Sequence, residues 1–116
     1  MAKVLAERRK HPRVPTRIQI RYQAADQFFT DYIHNLSLGG IFVETSDPLP
    51  VNTTLKVQFC LPAMNKPIVA DGVVVRSIQG GGTNSGIRGM GIRFSDLDER
   101  SRHAVERYVA KARPAS

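Results

Sequence analysis

Thr54 to Leu61 reads TLKVQFCL, an unbroken alternation of polar and apolar residues. Leu55, Val57, Phe59 and Leu61 fall on one side of an extended chain, and Thr54, Lys56, Gln58 and Cys60 on the other. A period of two marks a strand with one face in a core and one toward solvent. On this reading Cys60, opposite the core face, is a partly buried structural thiol.

Upstream of this strand the same period recurs. Ile18, Ile20 and Tyr22 alternate with Arg17, Gln19 and Arg21, and Ala24-Ala25-Asp26 can turn the chain. Phe28 to Leu36 is a second strand, broken by Ser37-Leu38-Gly39-Gly40, and Ile41 to Thr45 is a third. Ser46 to Pro50 is a loop with two prolines. Downstream, Pro62 to Pro67 is a connection. Ile68 to Ile78 is a β-branched strand bent near Asp71-Gly72. Gln79 to Gly86 is a turn, and Met90, Ile92 and Phe94 alternate in a last strand.

The period then changes. Leu97, Ala104, Val105, Tyr108 and Val109 share one helical face; Ser95 or Asp96 can cap the helix, and Asp96 with Glu99 three residues on has capping-box spacing. Six short strands and one helix without strand–helix alternation predict a small antiparallel barrel or sandwich with the helix packed against it. The lack of alternation argues against a doubly wound nucleotide fold.

The chain has 116 residues and 41% hydrophobic composition, which suits one folded domain. No apolar run approaches the ~20 residues that span a bilayer, and MAKVLAERRKHP has no apolar signal core. The chain therefore reads as cytoplasmic, without membrane insertion, and its single cysteine fits that compartment.

The net charge is +7 and unevenly spread. Residues 1–21 hold seven basic residues against Glu7 alone; residues 22–116 hold ten basic and nine acidic ones. The charge lies on an N-terminal arm in which Pro12 and Pro15 disfavour helix. An arm over a near-neutral body suits a small anion or an acidic surface. A nucleic-acid partner would call for a basic stripe across the body and stacking aromatics, and this chain has eight aromatic residues, most at core-like positions.

Catalytic constellations are poor. His11, His34 and His103 lack metal-ligand spacing, and one cysteine cannot build the usual thiolate zinc site. The Gly80-Gly81-Gly82 loop lacks the Gly-Lys-Ser/Thr ending of a phosphate-binding loop, and no helix follows it. No general base sits plausibly near a nucleophile, so an enzyme is not expected. No metal or cofactor is expected either.

Two stretches remain. Arg9-Lys10-His11-Pro12-Arg13, with Arg8 just before, offers guanidinium forks suited to phosphate oxygens and guanine edges. Asn35-Leu36-Ser37-Leu38-Gly39-Gly40 follows a strand. Alternation would put Asn35 and Ser37 on one face, and Gly40 would let a ligand approach the backbone.

Together these stretches resemble the PilZ domain family, bacterial receptors for cyclic di-GMP. The family signature is RxxxR followed at a distance by [D/N]xSxxG. Here RxxxR is Arg9 to Arg13 and NxSxxG is Asn35, Ser37 and Gly40. The resemblance implies a six-stranded antiparallel barrel with one C-terminal α-helix and a flexible basic N-terminal arm. The arm would span residues 1–16, the barrel 17–95 and the helix 96–111, as one PilZ domain.

The resemblance also implies site residues. Arg9 and Arg13 would meet the phosphates and guanine edges. Asn35, Ser37, Gly39 and Gly40 would meet the guanine and the adjoining backbone at the barrel rim. An Arg at the position of Arg8 goes with two stacked ligand molecules in similar proteins. Asn35 stands where many members carry Asp, and Val75-Arg76 fills a region where many carry Trp. The implied function is a cyclic di-GMP receptor whose arm changes conformation on binding and signals to a separate, unidentified effector protein. The alternatives are a PilZ-like interaction adaptor that binds no nucleotide, and a small barrel for single-stranded nucleic acid.

Overall fold

The computed structural model describes residues 12–62, 64–79 and 87–112. Six strands, β1 (Val14–Ala24), β2 (Gln27–Leu36), β3 (Gly40–Glu44), β4 (Thr54–Phe59), β5 (Ile68–Ile78) and β6 (Gly89–Asp96), precede one helix, α1 (Glu99–Ala112). Antiparallel pairing closes the strands into a barrel in the order β1-β2-β3-β6-β5-β4. The alternation in the sequence becomes the inside and outside of this barrel. Leu55, Val57 and Phe59 of β4 are buried, and Thr54, Lys56 and Gln58 are exposed. Ile20, Ile33, Ile41, Val43 and Val74 complete the interior with no measurable exposure. A closed barrel leaves no free sheet edge, so one modest core can hold all six strands.

β1 and β2 meet in a two-residue turn, with Ala25 in the left-handed region at φ 55°. α1 buries Ser101, Val105 and Val109, four residues apart, and packs Ala104 and Tyr108 partly against the core. The Tyr108 hydroxyl lies 2.6 Å from the Thr16 hydroxyl, which ties the helix to the start of β1.

Three sequence expectations are corrected. β1 begins at Val14 rather than Arg17, with Pro15 inside it. There β1 pairs only with β2, since its contact with β4 begins at Ile20, so the missing proline N–H disturbs no second ladder. Cys60 is exposed rather than partly buried, just past the end of β4. The helix cap is Asp98 rather than Asp96. Asp96 still pairs with Asp71 in the sheet, and Asp98 Oδ1 accepts from the Ser101 N–H at 2.8 Å.

The Ser101 N–H bond lowers the Asp98 pKa from its ordinary value. A carboxyl depressed in the folded state stabilises it above the unfolded pKa and loses that effect as pH falls through the folded one. Asp98→Ala is therefore expected to melt below wild type at about pH 7, with the gap narrowing toward about pH 2. Parallel thermal melts at the two pH values check this, and a gap independent of pH would assign the effect to helix propensity instead.

Candidate functional site

Simple alternation from the inward-facing Ile33 would send His34 out and Asn35 in. The strand register does otherwise. Ile33 pairs with Val43 and Asn35 with Phe42, so His34 is an extra residue in a bulge and Asn35 faces outward. A second bulge lies on β5. Val74 pairs with Ile92 and Arg76 with Gly91, leaving Val75 extra and Arg76 exposed on the outer face.

The two bulges align one row across five strands: Pro15, Asn35, Phe42, Gly91 and Arg76. The neighbouring row, Val14, Leu36, Ile41, Ile92 and Val74, is buried throughout. The outer row therefore rests on a continuous apolar support, which holds its residues in fixed register.

Glycines make the middle of this face flat. A Cβ at Gly91 would lie 3.4 Å from Arg76 Cβ, so the Arg76 stem runs beside it. A Cβ at Gly89 would meet the Phe42 ring 2.8 and 3.0 Å away, so that ring covers Gly89. His34 meets Phe42 edge-on with ring centroids 6.2 Å apart. The face is a side-chain-free floor on β6, with an aromatic wall from β3 and a cationic one from β5.

The two signature stretches meet here. Arg13 Nη1 donates to Asn35 Oδ1 at 2.5 Å, across 22 residues of chain. Partial desolvation, and then the positive charge of Arg76, lower the Arg13 pKa from the usual guanidinium value. Among the described residues neither arginine has a carboxylate within ion-pair distance. The outer face thus gathers two guanidinium groups, an amide and an aromatic ring, a set that suits a planar anionic ligand. Among the described residues no cluster of three His, Cys, Asp or Glu could hold a metal ion.

Ser37 is placed differently from the expectation that it shares a face with Asn35. β2 ends at Leu36, and Ser37 is buried in the turn to β3. Its Oγ accepts from the Gly39 and Gly40 N–H groups at 3.1 and 3.2 Å, and its N–H donates to the Gly40 carbonyl at 2.9 Å. Gly39 accepts from the Phe94 N–H at 3.0 Å, extending the β3–β6 ladder. A Cβ on Gly40 would run into the Ile92 carbonyl oxygen. In this arrangement Ser37 builds the turn, and Gly40 lets β3 close on β6.

Of the sequence-predicted site residues, Arg13 and Asn35 meet on this face, and Ser37, Gly39 and Gly40 form the turn that follows β2 beside it. Arg8 and Arg9, with residues 1–11 of the arm, lie outside the described residues, as does most of the Gln79–Gly86 turn. Phe42, Gly91 and Arg76 belong to the face; Gly91 was marked in the sequence only as part of Gly91-Ile92-Arg93-Phe94, a stretch resembling the family's last barrel strand, and Phe42 was not singled out. For Arg76 the signal was its place in the fifth strand. For Phe42 none was available, since its place on the face depends on register.

The family described as PilZ domain matches residues 7–111 of the chain. No curated protein matches it by sequence. Among solved structures, the chain is similar to the Bacillus subtilis inhibitor of motility MotI/DgrA, with TM-score 0.78 and 23% identity over 90% of this chain and 50% of that one. It thus spans half the length of that protein. It is also similar to the PilZ domain of Escherichia coli YcgR, solved with c-di-GMP, with TM-score 0.66 and 17% identity over 90% and 91% of the two chains. A third is the PilZ domain of CeSA from a cellulose-synthesizing bacterium, with TM-score 0.61 and 19% identity over 85% and 95%.

Proposed function

The chain belongs to the PilZ domain family, and from that premise we propose that it is a cytoplasmic receptor and adaptor for cyclic di-GMP. The observation that carries this is the Arg13–Asn35 hydrogen bond, which joins the basic arm to the barrel face. Asn35 Oδ1 is the one acceptor that its amide can offer a guanine N–H, and Arg13 holds it. An incoming ligand presents guanine N–H donors to Asn35 and phosphate oxygens to Arg13. The guanidinium then exchanges a neutral acceptor for an anionic one, the stronger partner.

That exchange is the proposed switch. As Arg13 turns to the phosphate, the arm changes conformation and Arg9 comes to the same ligand, with Arg8 available to a second stacked molecule. Arg13 lies three residues before Thr16, whose hydroxyl meets Tyr108 of α1, so a movement of Arg13 is passed to α1, which offers a surface to an effector protein. Ser37, Gly39 and Gly40 hold the turn that presents Asn35. The module is a binding domain rather than an enzyme, with cyclic di-GMP as ligand and no cofactor.

A second reading, a PilZ-type adaptor that binds no nucleotide, draws on the internal engagement of the Ser37 hydroxyl. Calorimetric titration with cyclic di-GMP separates the two. The receptor gives measurable heat with Kd in roughly the micromolar range, about −8 kcal/mol. Silence up to about 1 mM ligand, which corresponds to about −4 kcal/mol, leaves the adaptor.

A further inference from the structure

Arg76 stands at the far end of the outer row, and nothing in the RxxxR or NxSxxG stretches assigns it a role. Three observations give it one. The bulge at Val75 turns Arg76 outward onto the row that holds Asn35, where plain alternation would have pointed it inward. Its stem runs beside Gly91, on the floor between itself and Phe42, so its length is directed across the site. Two interstrand spacings of about 4.8 Å separate β5 from β3, and an extended arginine reaches most of that way.

We propose that Arg76 is a second cationic contact for the same ligand, closing the site from β5 and gripping the phosphate that Arg13 grips from the arm. The inference rests on the receptor reading and adds a residue to it. Arg13 meets the row at Asn35 and Arg76 enters it from the β5 end, with no carboxylate in ion-pair contact with either among the described residues, so an anion lying along the row can be shared by both guanidinium groups. The positive field of Arg76 felt at Arg13 accords with this placement. A phosphate diester carries one negative charge and two free oxygens, one for each guanidinium fork. The outer row then has an order: Asn35 for a base edge, Phe42 and the β6 floor for a base plane, and Arg76 for the phosphate.

The test is calorimetry with cyclic di-GMP on wild type, Arg76→Gln and Arg76→Lys, at low and moderate salt. Arg76→Gln is expected to bind about ten- to a hundredfold more weakly and with less salt dependence, from the loss of a charge-assisted contact. Arg76→Lys keeps the charge and is expected to stay within about tenfold of wild type. If wild type binds and Arg76→Gln binds equally well, the inference fails and the receptor reading stands. If Lys is as weak as Gln, the planar group acts on a base and the phosphate assignment is overturned. If wild type gives no heat, both fall. Arg76 is exposed, so the variants should melt with wild type. A measurement on wild type alone guards against misfolding: the Arg76 Nε–H resonance should shift on ligand addition, and an unmoved resonance overturns the proposal.

Discussion

Arg13→Ala is expected to weaken cyclic di-GMP binding by about a hundredfold, from the loss of two charge-assisted hydrogen bonds worth about 3 kcal/mol together. The same substitution leaves stability where it was, or raises it slightly. Arg13 is exposed, and among the described residues its side chain bonds to half-buried Asn35, which water can serve in its place. The sign follows from linkage. A guanidinium whose folded pKa is lowered binds its proton less tightly in the folded state, so its charge opposes folding at neutral pH, and removing it relieves that opposition. Binding lost with a melting temperature kept is a combination that a structural role for Arg13 would not produce. Calorimetry and thermal melts on one preparation measure both. Affinity within about threefold of wild type would remove Arg13 from the site. Arg13→Lys should fall between the two, keeping the charge and losing the fork.

Gly40→Ala is expected to lose stability and binding together. The added Cβ would meet the Ile92 carbonyl oxygen and, at 3.1 Å, the Arg93 Cα. Both are backbone atoms of β6, which pairs with β3 from Gly40↔Arg93 onward, so neither can step aside without opening the barrel seam. The expected loss is about 3 kcal/mol. For a domain of this size the melting temperature falls by roughly 10–20 °C. Ligand binding falls with it, because the turn that positions Asn35 hangs from the same seam. Gly91→Ala is the control. There the new methyl meets only side-chain atoms of Arg76 and Val75, at 3.4 to 4.0 Å, which can shift. Denaturant unfolding of the two variants should separate them by more than about 2 kcal/mol. A Gly40→Ala protein as stable as wild type would show that the seam can relax, and would return Gly40 to a direct role at the ligand.

Together the two substitutions divide the signature into parts with different physics. Arg13 acts through charge at an exposed position, whereas Gly40 acts through the absence of a side chain at a strand contact. Ser37 sides with Gly40: its hydroxyl is spent inside the turn, so Ser37→Ala would act through the shape of that turn.

Much of the barrel could be read from one-dimensional pattern. The alternation Leu55, Val57, Phe59 is the burial pattern of β4, and the β-branched run Ile68 to Ile78 is β5 to the residue. These succeed because a half-buried strand must repeat every two residues wherever it pairs. The helix face Val105, Tyr108, Val109 was readable for the corresponding reason at period 3.6. Where reading stopped short, a partner strand had intervened. Pro15 belongs to β1 because that stretch has a neighbour on one side only, and Asp96 stays in β6 because Asp71 pairs with it.

By itself, then, the sequence determined the number of strands, the core-facing side of β1, β4 and β6, the terminal helix, and the two stretches that mark the family. Those properties follow from local period and residue chemistry. Only the tertiary structure decided which residues share the ligand face. Asn35 and Arg76 each sit two positions after an inward residue, where unbroken alternation would bury them, and a bulge at His34 and another at Val75 turn them outward. A bulge is a mismatch of count between two strands, so no single strand carries it. The closure of β3 on β6 at Gly40 is likewise a property of the pair. The site is therefore a matter of register, and register exists only once the barrel has closed.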